Sequence, residues 1–333
     1  MFIVESYPLA IVFCVITMLC WGSWANTQKL AAGRWRYELF YWDYVIGIFL
    51  FSLLAAFTLG SNGDQGRPFV TDLQQASNAN IGSALLGGII FNLANILLSS
   101  AIAIAGMSVA FPVGIGLALV VGVIINYASH QKGDPLLLFA GVALVSLAII
   151  LNAVAYKKKS ATVSKAGAKG ILLSIVAGLL MSFFYRFVAG AMDLDNFVNP
   201  EAEKMTPYTA SVVFAAGILI SNLLFNTVMM RRPLQGSPIS YAEYFKGRTS
   251  LHFIGVLGGS IWALGNLFNL IAAGKAGPAI SYGLGQGATL VAAIWGVLIW
   301  KEFAGSSKQV KNLIAAMFIL FVAGLALVIA AGL

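Results

Sequence analysis

The sequence predicts an all-α membrane protein of ten transmembrane helices, built as a 5+5 inverted repeat. Three observations predict it. Hydrophobic residues fill 59% of the 333 positions and charged residues only 10%, against about 25% charged in a soluble domain. Charge falls in short bursts between continuous apolar runs of the length that crosses hydrocarbon, whereas a β-barrel would alternate. Two segments 171 positions apart also read almost as one another. Ala105-Gly106 and Ala276-Gly277, Gly114 and Gly285, Gly116 and Gly287, Leu119 and Leu290, and Val120 and Val291 coincide; upstream, Leu93 falls on Leu264 and Asn95 on Asn266. Duplication inside apolar sequence marks repeat-built transporters, whose sites lie where the halves meet.

Spans are expected at 8–28, 41–60, 81–104, 107–128, 136–156, 169–191, 208–230, 251–273, 278–300 and 312–332. The first half covers 1–156, a basic linker 157–168, and the second half 169–333. The first run lacks a basic leader and a good cleavage site, so it reads as a retained helix rather than a signal peptide. Short links at Ala105-Gly106 and Lys275-Ala276-Gly277 make spans 3/4 and 8/9 tight hairpins. Fifteen of the twenty Lys and Arg residues lie in loops 1–2, 5–6, 7–8 and 9–10, which places those loops in the cytoplasm and both termini outside it. An odd number of spans per half then inverts the second half. The linker, with its lysines and Ser160, Thr162 and Ser164, reads as a topogenic anchor. The acidic loop 6–7 reads as solvated.

The +8 net charge would suggest nucleic acid in a soluble protein, but here it follows membrane topology, and no nucleic-acid partner is expected. Cys14 and Cys20 are six residues apart on one helix, which suits neither a disulfide nor a metal. His130 and His252 read as isolated residues near the interfaces. With no acid/base constellation, no enzyme and no cofactor is expected.

Polar residues inside the spans fall in stripes. Span 1 carries Thr17, Trp21, Trp24 and Gln28 on one face, and span 3 carries Asn92, Asn95 and Ser99. Span 8 carries Trp262, Asn266 and Asn269, and span 9 Tyr282, Gln286 and Thr289. A lone Asn is as well explained by an interhelical hydrogen bond, worth about 0.6 kcal/mol. Four stripes drawn from both halves favour a shared cavity lined by spans 1, 3, 6, 8 and 9, with spans 5 and 10 peripheral. Amide and indole groups suit a neutral, hydrogen-bonding, planar solute. Arg186 sits toward the outer end of span 6 and reads either as a cavity or gate residue or as a snorkelling anchor. Asp43, at the cytoplasmic end of span 2, and Glu5, at the outer mouth, are the carboxylates best placed for proton coupling. Gly255/Gly259 and Gly283/Gly287 permit close helix crossing, and Pro112 is expected to kink span 4. Gly114-x-Gly116 lacks the context of a dinucleotide loop.

Val4-Glu5-Ser6, Tyr41-Trp42-Asp43-Tyr44, Trp295-Gly296-Val297-Leu298, Lys301-Glu302-Phe303 and Ser306-Ser307, with Gly265-Asn266 and Gln286, make the chain resemble the ureide permeases of the drug/metabolite transporter superfamily. The resemblance implies proton-coupled uptake of ureides such as allantoin or nucleobases such as uracil. Plant members have a long central loop with a P-loop-like motif; the short loop here has none, so ATP regulation is not implied. A related branch takes up sugars such as glucose, ribose or rhamnose.

The expectation is thus a multi-pass protein of the plasma or bacterial inner membrane that imports a small neutral metabolite by alternating access, sufficient as a monomer in its bilayer. Monosaccharide or nucleoside uptake is the alternative. A drug exporter would need a carboxylate in mid-span, and a scaffold or receptor would not need the stripes. Trp21, Trp24, Asn92, Asn95, Arg186, Trp262, Asn266, Tyr282, Gln286 and Thr289 are the candidate cavity residues, and Asp43 and Glu5 the candidate coupling residues.

Overall fold

The computed structural model describes residues 1–159 and 165–333; positions 160–164, in the middle of the basic linker, lie outside the described residues. Ten helices among the described residues are long and apolar enough to cross a membrane. They are span 1 (Tyr7–Ala31), span 2 (Tyr37–Phe57), span 3 (Asn78–Ala105), span 4 (Phe111–Ser129), span 5 (Pro135–Lys159), span 6 (Gly167–Gly190), span 7 (Pro207–Arg231), span 8 (Thr249–Ala276), span 9 (Pro278–Ile299) and span 10 (Lys308–Ala330).

Local chemistry sets many of these ends. Proline opens spans 5, 7 and 9, where its missing N–H is unneeded and its fixed φ is already helical. Ser77 caps span 3 by accepting from the Asn80 N–H, and Ser307 caps span 10 by accepting from Val310. Gly106 and Gly277 close spans 3 and 8 with nearly the same backbone, φ 84° and ψ 163° against φ 80° and ψ 156°. This positive φ suits glycine, so the duplicated Ala-Gly builds the same hairpin twice.

The halves also pack alike. Span 3 lies on spans 6 and 7, while span 8 lies on spans 1 and 2. A methyl group at Gly88 would sit 2.1 Å from the Phe214 carbonyl oxygen, and one at Gly217 would sit 2.3 Å from that of Leu85. Exchanging the halves gives the second crossing: Gly259 against the Tyr44 carbonyl at 1.9 Å and Gly47 against that of Val256 at 2.2 Å. Spans 5 and 10, the least buried, pack on each other. There Gly141 and Gly324 face each other's carbonyls at 2.6 and 2.7 Å, measured from a methyl at each. These reciprocal contacts describe a pseudo-twofold axis.

At one end, Lys29 pairs with Glu302 at 2.7 Å, Arg36 donates to the Ser237 carbonyl, and Lys169 to that of Leu234. This is the basic end. At the other, Arg67 donates to the Pro200 carbonyl, Lys132 to that of Gly274, and the Asp134 N–H to that of Ala331. This is the terminal end, since Met1 and the C-terminal segment both lie there.

Three spans among the described residues depart from regular α-helix. Spans 1 and 9 break the regular hydrogen-bond pattern at Trp24 and Gly287, although both residues keep helical φ and ψ. Span 4 begins with a wide π turn over Phe111–Ile115. Pro112 has no N–H for the helical ladder, and the turn absorbs the defect.

Candidate functional site

The breaks surround one space. Trp21 and Trp24 of span 1, Phe91, Asn95 and Leu98 of span 3, Phe111 and Ile115 of span 4, Met181 and Phe184 of span 6, Trp262 of span 8, and Gln286 and Ala288 of span 9 line a central cavity of about 20 Å³. That volume holds about one water, so the space is too small for a metabolite. Among the described residues no charged side chain lines it.

Aromatic rings form most of the wall. Trp21 and Trp262 stack at 5.6 Å with an 8° interplanar angle, and the Trp21 Nε1–H donates to the Trp262 carbonyl at 3.2 Å. Phe91 lies 4.3 Å from Trp262 and 5.2 Å from Phe184. Phe91 and Trp262 are equivalents at the 171 offset, as are Ile115 and Gln286. One half therefore presents Phe91 and Ile115 where the other presents Trp262 and Gln286. Among the described residues no side-chain hydrogen bond joins the Gln286 amide to the protein; the residue is 2% exposed and its side chain lines the cavity, where a water or a solute can pair with it.

Trp21, Trp24, Asn95, Trp262 and Gln286 thus come together, and the other candidates are placed differently. Asn95 Nδ2 donates to the Tyr41 hydroxyl at 3.3 Å, which donates to Asn92 Oδ1 at 3.0 Å; Asn92 Nδ2 then donates to Ser221 Oγ at 2.9 Å. Asn92 therefore ties spans 2, 3 and 7 behind the wall. The Tyr282 hydroxyl donates to the Met181 carbonyl at 3.1 Å and joins spans 6 and 9. Thr289 is buried and donates back to the Gln286 carbonyl at 3.4 Å. Asn266 is buried with its Oδ1 unpartnered, outside the cavity lining. Arg186 is exposed and lines a separate pocket of about 250 Å³ at the terminal end, with Asn126, His130, Asp193, Asp195, Glu201 and Lys204. Its guanidinium lies 5.8 Å from the Phe187 ring centre.

A pocket of about 470 Å³ opens at the basic end, where Gln28, Lys29, Arg36, Tyr37, Glu38 and Met107 meet the 235–237 loop. The small central cavity thus lies in a molecule with a recess at each end.

Asp43 is 2% exposed, and its partners come from distant sequence. His252 Nδ1 lies 2.9 Å from Oδ1 and 3.0 Å from Oδ2, and the Tyr244 hydroxyl donates to Oδ1 at 2.6 Å. Burial first, then the hydrogen bond to Asp43 and its negative charge, push the Tyr244 hydroxyl well above the usual tyrosine range. His252, expected to be isolated, instead reaches Asp43 because Gly255 lets spans 2 and 8 approach: a methyl there would lie 2.4 Å from Asp43 Cβ. Glu5 is exposed at the terminal end and accepts from Gln65 Nε2 at 3.0 Å. Sequence reasoning missed Phe91, Phe111 and Phe184 because phenylalanine in a span looks like ordinary packing. It missed Tyr244 because the short helix Tyr241–Phe245 lies in a loop.

Comparison with known proteins agrees with this architecture. A solved crystal structure superposes with a TM-score of 0.59, covering 97% of this chain and 98% of the other at 16% identity, a likeness of fold alone. Ureide permease 2 of Arabidopsis thaliana is 24% identical, covering 99% of this chain and 98% of its own, and Ureide permease 4 of the same plant is 25% identical with the same coverage. The putative ribose uptake protein RbsU of Latilactobacillus sakei subsp. sakei (strain 23K) is 29% identical over 74% of this chain and 76% of its own. The ureide permease family pattern matches residues 40–169 and 157–331. With ten apolar spans and a family match along nearly its whole length, the chain is a multi-pass integral membrane protein that belongs to the ureide permease family of transporters.

Proposed function

We propose that the chain imports a ureide or nucleobase by alternating access, driven by the proton gradient, with the basic end in the cytoplasm. The observation that carries the reading is the Gln286 side chain facing an uncharged cavity walled by Trp21, Trp262 and Phe91. A planar solute with N–H and C=O groups on its edge satisfies the amide and stacks on the rings. The cavity is too small for such a solute as it stands, and reciprocal packing of the halves supports a rocking motion that opens either end in turn. The curated relatives named for ureides support the same class of solute. Arg186 and Glu5, at the terminal end, then belong to the entrance rather than to the cavity. Asp43 is the carboxylate proposed to carry coupling.

The similarity to a putative ribose uptake protein favours one second reading, uptake of a monosaccharide. Sugar hydroxyls pair with Gln286 and Asn95, and a pyranose face lies on Trp. Proteoliposome uptake of labelled uracil, allantoin, ribose and glucose, with and without an inward proton gradient, separates the two. Gradient-stimulated uracil or allantoin uptake is the expected result. Saturable uptake of the sugars alone selects the second reading; transport of none, with efflux of a cationic dye, removes both.

A further inference from the structure

We infer that His252, Asp43 and Tyr244 form a proton-operated latch on the mouth at the basic end. The inference rests on the transporter reading and adds to it a gate that answers to the pH at this mouth.

The three side chains join three elements: Asp43 from span 2, His252 from span 8 and Tyr244 from the short helix of loop 7–8. Trp35, from the loop before span 2, closes the cluster, with its ring 5.1 Å from the His252 ring at 75° and 6.2 Å from that of Tyr244. Exposure divides the work. The Asp43 side chain is 3% exposed and that of His252 is 26% exposed, so the imidazole reaches water and the carboxylate does not. Histidine is the side chain that ordinarily exchanges its proton between pH 5 and 8.

One proton is involved, taken from water at this mouth and returned to it. With it, an imidazolium donates to a carboxylate that also accepts from Tyr244, and the buried pair is neutral. Without it, the imidazole is neutral and Asp43 keeps a net negative charge on a carboxylate that is itself only 3% exposed. A buried charge without an ionic partner is strongly unfavourable, and the remedy is to admit water by parting span 8 and the loop helix from span 2. The protonated pair therefore holds the mouth closed, and the deprotonated pair releases it. Asp43 and Tyr244 are the titratable groups in contact with the ring, and Trp35 is uncharged. The nearby charges on the same elements are Arg36, paired with Glu38, and Glu243 and Arg248, neither of which ion-pairs with His252.

The opposite mouth has no such device at the matching place. At the offset that pairs Gly88 with Gly259, His252 corresponds to Ile81, and at the offset that pairs Gly47 with Gly217, Asp43 corresponds to Val213. The buried carboxylate of that end, Asp72, is held by Arg67 at 2.8 Å and by the Thr206 N–H, and arginine keeps its proton at every physiological pH. The terminal end also carries a looser, more exposed pair, His130 and Asp195 at 3.8 Å, but its buried carboxylate is held by a fixed charge, whereas that of the basic end is held by an exchangeable one.

Trp35 reports the latch, because an imidazolium quenches an adjacent indole. The Trp35 emission, isolated as the difference between the protein and its Trp35→Phe variant, is expected to change with pH and to lose that change in His252→Gln. In Tyr244→Phe, where the carboxylate has one donor fewer, the transition is expected to move to higher pH. In proteoliposomes, solute counterflow is expected to fall tenfold or more as the pH at the basic end is lowered, and to lose that dependence in His252→Gln. A Trp35 emission that does not change with pH, or that changes alike in both variants, overturns the latch. So does counterflow in His252→Gln that depends on the pH at the basic end as the parent's does. If Trp35 titrates as expected but no protein moves any solute, the transport reading falls and the proton site stands.

Discussion

Gln286 of span 9 stands where Ile115 stands in span 4, and both side chains reach the same cavity. The two positions have equivalent surroundings in the repeat, yet one offers an amide and the other an alkyl group. A solute between them meets a polar wall on one side and an apolar wall on the other, which orients it.

Gln286→Ile makes the two walls alike. The apolar side chain removes the buried amide, so the variant is expected to melt at the same temperature as the parent or higher. Removing one or two solute hydrogen bonds, worth about 0.5–1.5 kcal/mol each, is expected to raise the KM for uptake roughly tenfold. Uptake kinetics beside a thermal melt in detergent check both; an unchanged KM removes Gln286 from the binding wall.

Trp262 separates ring stacking from simple filling. Trp262→Phe keeps a face against Trp21 and Phe91 and is expected to retain most of the uptake. Trp262→Ala leaves a cavity in the wall and is expected to lose most uptake and about 3–5 kcal/mol of stability. Equal loss in both variants would show that indole chemistry, not area, is what matters there.

The glycine crossings test the pseudo-symmetry. Gly88→Ala and Gly259→Ala place a methyl against a carbonyl oxygen at 2.1 and 1.9 Å. Both are expected to destabilise by about 1–3 kcal/mol and to lower the melting temperature to a similar extent. A large effect at one and none at the other would contradict equivalent packing of the halves.

Lys132 makes stability depend on pH at the terminal end. Burial holds its ammonium below the usual lysine range; the nearby Asp195 raises it again, and Lys275 lowers it further. The folded chain therefore binds this proton more weakly than the unfolded chain. Between the two values the unfolded state carries more protons, so stability rises with pH. Melting temperatures at pH 8 and pH 10 are expected to rise more for the parent than for Lys132→Gln.

The spans, their hairpins and the peripheral place of spans 5 and 10 could be read in advance, because hydrocarbon leaves no other use for long apolar runs and the duplicated Ala-Gly has one economical geometry. Polar stripes pointed to spans 1, 3, 8 and 9 for a related reason: an amide in a span must find a partner or a cavity. Which of these it finds depends on helix rotation, which spacing alone does not supply. Asn92 and Asn95 are under one turn apart, yet Asn92 bonds to span 7 and Asn95 reaches the cavity. Arg186 likewise lies on span 6 beside Phe184 and Tyr185 but faces outward. His252 and Asp43 are 209 positions apart, and no local pattern joins residues whose contact is made by a helix crossing.

The matched hairpins at Gly106 and Gly277 have a consequence for biosynthesis. Since each buried crossing has a counterpart of opposite sense, the packed interior would fit a molecule inserted either way up. Which face meets the cytoplasm is then decided during insertion, by the uneven share of loop lysines and arginines at the two ends. Transplanting those few charges should yield a correctly folded protein facing the wrong way, its exchangeable latch exposed to the wrong compartment.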